Sequence, residues 1–131
     1  MNEVLQLLLD NPVFYIATVE GDKPKVRPFG FVMNYEGKLC FCTNNKKHIY
    51  KQLKENPNFE ISTTLKTGGW IRLKGKAVFN TSTETKTAAI EASPALSSMY
   101  RVDDSIFEIF YVEDGEATIF QFDGSTRTIT L

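Results

Sequence analysis

The sequence predicts a mainly β protein with a few helices, built as an antiparallel barrel of six or seven strands. Short runs such as Lys38 to Thr43 and Trp70 to Phe79 alternate apolar and polar residues, the period of a half-buried strand. Turn residues separate these runs at close intervals: Glu20-Gly21-Asp22, Gly37, Gly68-Gly69, Asp114-Gly115 and Asp123-Gly124. Helical marks are confined to a few stretches. Many strands joined mostly by short turns close most simply as an antiparallel barrel.

In chain order, Asn2 is placed to cap a short helix over Glu3 to Asp10, and Asn11-Pro12 stops it. Val13 to Val19 is a strand that turns back through Glu20-Gly21-Asp22. Lys25 to Met33 is the second strand. Pro28 lies inside it and cannot donate to a ladder, which implies an edge, a bulge or a ligand beside the backbone. Asn34 to Lys38 turns. The next strand ends at Thr43, and Asn44 and Asn45 favour a turn or a cap. A helix follows, with Ile49 and Leu53 one turn apart on one face, and Asn56-Pro57 ends it.

Phe59 to Leu65 is a strand. From Trp70 to Phe79, Ile71, Leu73, Ala77 and Phe79 share one face, and Trp70, Arg72, Lys74 and Lys76 share the other. Gly75 interrupts the apolar face, the mark of a bulge or a close backbone approach. Thr81 and Glu84 have capping-box spacing ahead of a helix over Thr83 to Ala92. Ile106 to Val112 and Ala117 to Phe122 read as strands on either side of an Asp114-Gly115 turn, and a last strand runs to Leu131.

Composition bounds the function. A chain of 131 residues with 42% hydrophobic content makes one domain with a core. A net charge of −1 argues against a strong binder of nucleic acid or of membrane surfaces. Cys40 and Cys42 stand one residue apart in a strand and read as ordinary strand residues of a cytoplasmic protein. A single histidine, His48, leaves little for a metal site or a catalytic triad. The apolar run Leu5 to Leu9 is far too short to span a membrane and is flanked by Glu3 and Asp10.

The stretch from Lys38 to Leu53 carries the strongest chemical signal. Lys46, Lys47 and His48 are expected in the first turn of a helix that follows a strand and a polar turn. Free N–H groups and the positive end of the helix dipole favour an anion there, whereas cations at that end are unfavourable without one. The pattern fits a phosphate site; a solvated basic turn is the alternative, with His48 on the helix surface. Thr43 reads as an N-cap, a ligand or both.

Four stretches in this order resemble the pyridoxamine 5′-phosphate oxidase-like family of FMN-binding split β-barrels. They are FYIATVEGDKPKVRPFGF (Phe14 to Phe31), LCFCTNNKKHIYKQLKENPNFEIS (Leu39 to Ser62), GWIRLKGKAVF (Gly69 to Phe79) and FEIFYVEDGEATIFQFDG (Phe107 to Gly124). The resemblance implies a split barrel that dimerises, with FMN in a groove between two subunits. It implies that Arg27, Pro28 and Phe29 border the flavin and its phosphate. It likewise implies that Thr43, Asn44, Lys46 and Lys47 serve the phosphate; Lys51, one turn on, either reaches the phosphate as well or is solvated. In the oxidase a Ser-Arg-Lys run opens this helix, and its last lysine aligns with Ile49 here, so the cations are shifted along the turn. Trp70 stands where the oxidase has a glutamine that reaches the flavin from the partner subunit.

The oxidase's C-terminal substrate signature of Trp and Arg has no counterpart, since Arg127 sits in a different context. The resemblance therefore implies flavin binding rather than pyridoxamine phosphate oxidation. The expected function is an FMN-dependent oxidoreductase in the cytoplasm, using a small-molecule substrate or electron donor. The alternative is a non-catalytic flavin- or haem-binding protein for storage, sensing or stress, and a third reading is a dimeric interaction domain with an empty groove. The aromatic strand Phe107 to Val112 is the expected dimer face.

Overall fold

Alternating apolar residues build one antiparallel sheet of eight strands, and the computed structural model describes all of residues 1–131. The elements are α1 (Asn2–Asp10), β1 (Phe14–Glu20), β2 (Lys23–Phe29), β3 (Met33–Tyr35), β4 (Lys38–Asn44), α2 (His48–Glu55), β5 (Asn58–Thr64) and β6 (Trp70–Phe79). They continue as α3 (Thr83–Ala92), a 3-10 helix (Pro94–Ser98), β7 (Phe107–Phe120) and β8 (Thr126–Thr130). Strand order is β2-β1-β5-β6-β7-β4-β3, with β8 added on β7. β2 and β3 do not pair, so the sheet curls without closing and the barrel is split. Edge position is what lets β2 hold both Pro24 and Pro28. No helix is long and apolar enough to cross a membrane.

The inner face holds Phe14, Ile16, Phe41, Ile61, Ile71, Leu73 and Phe110, and α1 plugs one end with Val4 and Leu8. Phe41 is the hub, with its ring 5.5 Å from Phe110 and 6.0 Å from Phe14. A second cluster of Met33, Cys40, Leu96, Tyr100, Phe107 and Ile109 packs the other face of β4 and β7 under α3 and the 3-10 helix. Phe107, Ile109 and Phe110 are thus fully buried, so the segment expected to be the dimer face is core instead. Two layers press on β7 here, and neither face is left for a partner.

Several sequence expectations change. The strand count rises to eight because Met33–Tyr35 forms a short hairpin with β4 around Glu36 and Gly37, both at positive φ. Asp114-Gly115 is not a turn, and β7 passes through it unbroken. Gly75 of β6 faces two residues of β7 there, since Lys74 pairs with Glu116 but Lys76 pairs with Glu113. Asp114, at φ 54, takes up the extra residue of this bulge. A Cβ on Gly75 would collide with Val112, so the bulge and the close approach inferred from sequence are one feature. The cap of α3 is Ser82 with Thr85, not Thr81 with Glu84; Thr81 instead donates to Glu108 Oε1 at 2.8 Å. Asn2 lies inside α1, and Met1 holds the N-cap position without a side-chain bond.

Candidate functional site: a cationic cleft at the start of α2

Residue parity in β1 and β2 decides which side chains meet α2. Ile16 pairs with Arg27 and Thr18 with Lys25, so Ile16, Thr18, Glu20, Lys25 and Arg27 share the inner face of the hairpin. α2 lies against that face through Ile49, Gln52 and Leu53. Between them opens a cleft of about 670 Å³, bordered by Lys25, Arg27, Pro28, Phe29, Lys46, Lys47, His48 and Gln52, with Glu20 at its rim.

The cations in this cleft form no ion pair, although Glu20 also lines it. The chain's five ion pairs are Lys23–Asp22, Arg72–Glu60, Lys74–Glu116, Arg101–Asp103 and Arg127–Glu3, and none uses a cleft cation. Arg27 is half-buried, and that burial pulls its pKa below the usual value. Its guanidinium is held by neutral groups: Nη1 donates to Thr18 Oγ1 at 2.7 Å and Nη2 to Gln52 Oε1 at 2.7 Å.

The turn before α2 is pinned on several sides. Asn44 Oδ1 accepts from the Lys46 N–H at 3.0 Å, and Asn44 Nδ2 donates to the Tyr100 hydroxyl at 2.9 Å. Asn45 Nδ2 donates to Ser105 O at 2.7 Å and to Glu108 Oε2 at 2.9 Å. The helix begins at His48, two residues later than a first turn opening at Lys46. Lys47 is its N-cap and Lys46 precedes it, and no side chain caps it. Of the first-turn N–H groups, that of Tyr50 donates back to Lys47 O at 3.2 Å, and those of His48 and Ile49 stay open to a ligand. An anion there meets the positive end of the helix dipole, in the cleft that Lys25, Arg27, Lys46 and Lys47 border.

A smaller cavity of about 260 Å³ adjoins the cleft through Pro28, Phe29 and Lys47, and runs to Phe31, Cys42, Thr43, Leu96, Met99 and Tyr100. Thr43 is 3% exposed, and its Oγ1 is the buried side-chain polar atom without a hydrogen-bond partner. It is therefore not the N-cap. Such orphans are uncommon in folded proteins and mark a place where a ligand can supply the missing bond. Cys42 supplies no nucleophile, since burial pushes its thiol up to about 12 against the opposing pull of Lys47. Burial likewise pushes Cys40 up to about 11.

Of the residues singled out in sequence, Arg27, Pro28, Phe29, Lys46 and Lys47 meet in the cleft, and Thr43 lies in its side cavity. Asn44 shapes the turn without lining the cleft. Lys51 is exposed and borders neither cavity. Trp70 lies on the outer face of the sheet, since Tyr15 pairs with Ser62 and Thr64 with Trp70. It borders a separate groove with Val13 and Tyr15, so one chain alone does not bring it to Arg27. Sequence reasoning missed Thr18 and Gln52. The signal for Gln52 was present, as a polar residue at i+3 on the buried Ile49/Leu53 stripe.

Comparison with known proteins accords with this geometry. A family model described as pyridoxamine 5′-phosphate oxidase matches residues 1–122. A NimC/NimA family protein from Clostridium acetobutylicum is 48% identical over 100% of this chain and 92% of its own, with a TM-score of 0.97. A pyridoxamine 5′-phosphate oxidase-related, FMN-binding protein from Nostoc punctiforme is 13% identical, with a TM-score of 0.61 over 99% of this chain and 95% of its own. A haem-binding protein from Mycobacterium smegmatis is 16% identical, with a TM-score of 0.77 over 98% of this chain and 56% of its own. The latter two share the fold alone. No functionally curated protein matches the chain. The match to the family model spans nearly the whole barrel, and the chain belongs to the pyridoxamine 5′-phosphate oxidase-like family.

Proposed function

We propose that the chain binds FMN and works as a small FMN-dependent oxidoreductase, as a cytoplasmic homodimer with the flavin at the subunit interface. The observation that carries this reading is the set of cations in no ion pair, Arg27, Lys46 and Lys47, around an uncapped helix start. The half-buried Arg27 charge, with Lys46 and Lys47 exposed beside it, favours an anion, and a phosphate monoester fits both the charge and the open N–H groups. The unpaired Thr43 hydroxyl beside Phe29 and Pro28 suits the body of the ligand. FMN would supply hydride or electron transfer when bound. The chain's part is to bind the phosphate, to offer one hydroxyl, and to keep apolar walls against the ring and a small-molecule substrate or electron donor.

Trp70 enters this reading only through a second copy. Val13 at 56% and Tyr15 at 49% exposure border one outer groove with it, Val26 at 69% is exposed on the same side of the β1–β2 hairpin, and a second copy pressed on this side would bring its own Trp70 to the interface. A non-catalytic flavin- or haem-binding protein is the second reading, and the fold shared with a haem-binding neighbour favours it. One absorption spectrum of protein purified without added cofactor separates them. Flavin bands that bleach with NAD(P)H support the oxidoreductase, flavin bands inert to every donor support the non-catalytic reading, and a Soret band overturns FMN.

A further inference from the structure

The Arg27 guanidinium has a neutral cradle. Gln52 is 4% exposed, on the buried stripe of α2. Its Oε1 accepts from Arg27 Nη2 at 2.7 Å and from Thr18 Oγ1 at 2.6 Å. The same Thr18 oxygen accepts from Arg27 Nη1 at 2.7 Å, closing a triangle of three bonds. Gln52 Nε2 donates to Glu20 Oε2 at 3.2 Å, which fixes the amide with its oxygen toward the arginine. Ile16 O at 3.3 Å and Lys25 O at 3.4 Å complete the cradle.

A buried arginine is usually held by a carboxylate, which gives the stronger bond and also cancels its charge. Here the oxygens facing Arg27 belong to an amide, a hydroxyl and two backbone carbonyls. They fix the guanidinium and leave its full positive charge available to whatever enters the cleft. The one carboxylate lining the cleft, Glu20, accepts from Gln52 Nε2 and forms no ion pair with Arg27.

Resting on the anion-site reading above, we propose that Gln52 is a positioning residue. With Thr18, it orients Arg27 toward a phosphate monoester, and its neutrality sets the preference of the cleft for phosphorylated over unphosphorylated ligand. A carboxylate of the same shape would hold Arg27 equally well and discharge it. An apolar side chain of similar length would leave it charged but free to turn away.

The test is a pair of dissociation constants, for FMN and for riboflavin, measured by flavin fluorescence on wild type, Gln52→Glu, Gln52→Met and Thr18→Val. Gln52→Glu should weaken FMN at least about tenfold while changing riboflavin little, since only FMN carries the charge that Arg27 reads. Gln52→Met and Thr18→Val should narrow the same ratio by smaller factors. Thr18→Val keeps the shape of a buried strand residue and serves if the Gln52 variants do not fold by circular dichroism. A wild type with no preference for FMN sinks the anion-site reading and this inference together. A wild type that prefers FMN, with folded variants that keep its ratio, sinks the role of Gln52 alone.

Discussion

Trp70 and Phe120 lie face to face, with ring centroids 3.9 Å apart and planes within 3° of parallel. They pair directly across β6 and β7, and Arg72 sits 5.1 Å from the indole centroid on the same outer face. This stack is half-exposed, with the Arg72 guanidinium over both rings. Aromatic surface of this kind is the usual centre of a protein–protein contact.

The outer face therefore makes the first prediction. Light scattering should give twice the chain mass, and Val26→Glu, a charge placed on exposed edge strand β2, should shift it toward monomer. FMN bound at such an interface should quench Trp70, the one tryptophan in the chain. A wild-type monomer at micromolar concentration, or tryptophan emission untouched by saturating FMN, would remove Trp70 from the site.

A second prediction concerns the bulge. In Gly75→Ala the added methyl meets the Val112 side chain and lies 3.0 Å from Glu113 O. Overpacking of this kind costs about 1–3 kcal/mol, read as a lower denaturant midpoint. Trimming the neighbour in Gly75→Ala/Val112→Ala should give coupling between the two changes. Strict additivity would mean that β7 shifts to make room.

This bulge also shows why part of the fold was hidden in the sequence. Asp-Gly between two apolar runs is a strong hairpin signal. Here the same dipeptide absorbs one extra residue opposite Gly75, and only the β6–β7 register distinguishes the two uses. Alternation from Trp70 to Phe79 was legible because it is local. Arg27-Pro28 and the lysine pair were legible because edge prolines and helix starts have local chemistry. The burial of Thr43 was not, since it shares the Leu39/Phe41 face of β4 and the cover of that face comes from distant segments of the sheet. Phe107 to Val112 misled for the same reason: an aromatic strand reads alike whether a partner or its own α3 covers it.

A third prediction follows from Asp104. Partial burial raises its pKa, but N–H bonds from Arg101 at 2.8 Å, Phe107 at 2.9 Å and Ile106 at 3.1 Å outweigh it and hold the carboxyl below its usual range. The folded pKa is the lower one, so the stabilisation is full above the unfolded value of about 3.9 and is lost as pH falls through the folded value. Asp104→Asn should lower the urea midpoint at neutral pH and flatten the acid limb. An acid limb identical to wild type would show that Asp104 does not contribute to it.

The last prediction divides the lysines. Lys47 borders both the cleft and the side cavity, Lys46 borders the cleft alone, and Lys51 borders neither. A charge-assisted contact to phosphate contributes about 1.5–3 kcal/mol, or about ten- to hundredfold in affinity. Lys47→Ala should therefore weaken FMN by about that factor and riboflavin far less, Lys46→Ala should do so by no more, and Lys51→Ala should leave the ratio at its wild-type value. Stability should barely move, because all three are exposed and a cation at a helix start adds none. The decisive comparison is Lys47 against Lys51, two lysines one helical turn apart and alike in exposure. If they respond alike, the cleft acts as a diffuse positive field. If only Lys47 responds, the phosphate sits at the start of α2, where the open N–H groups are.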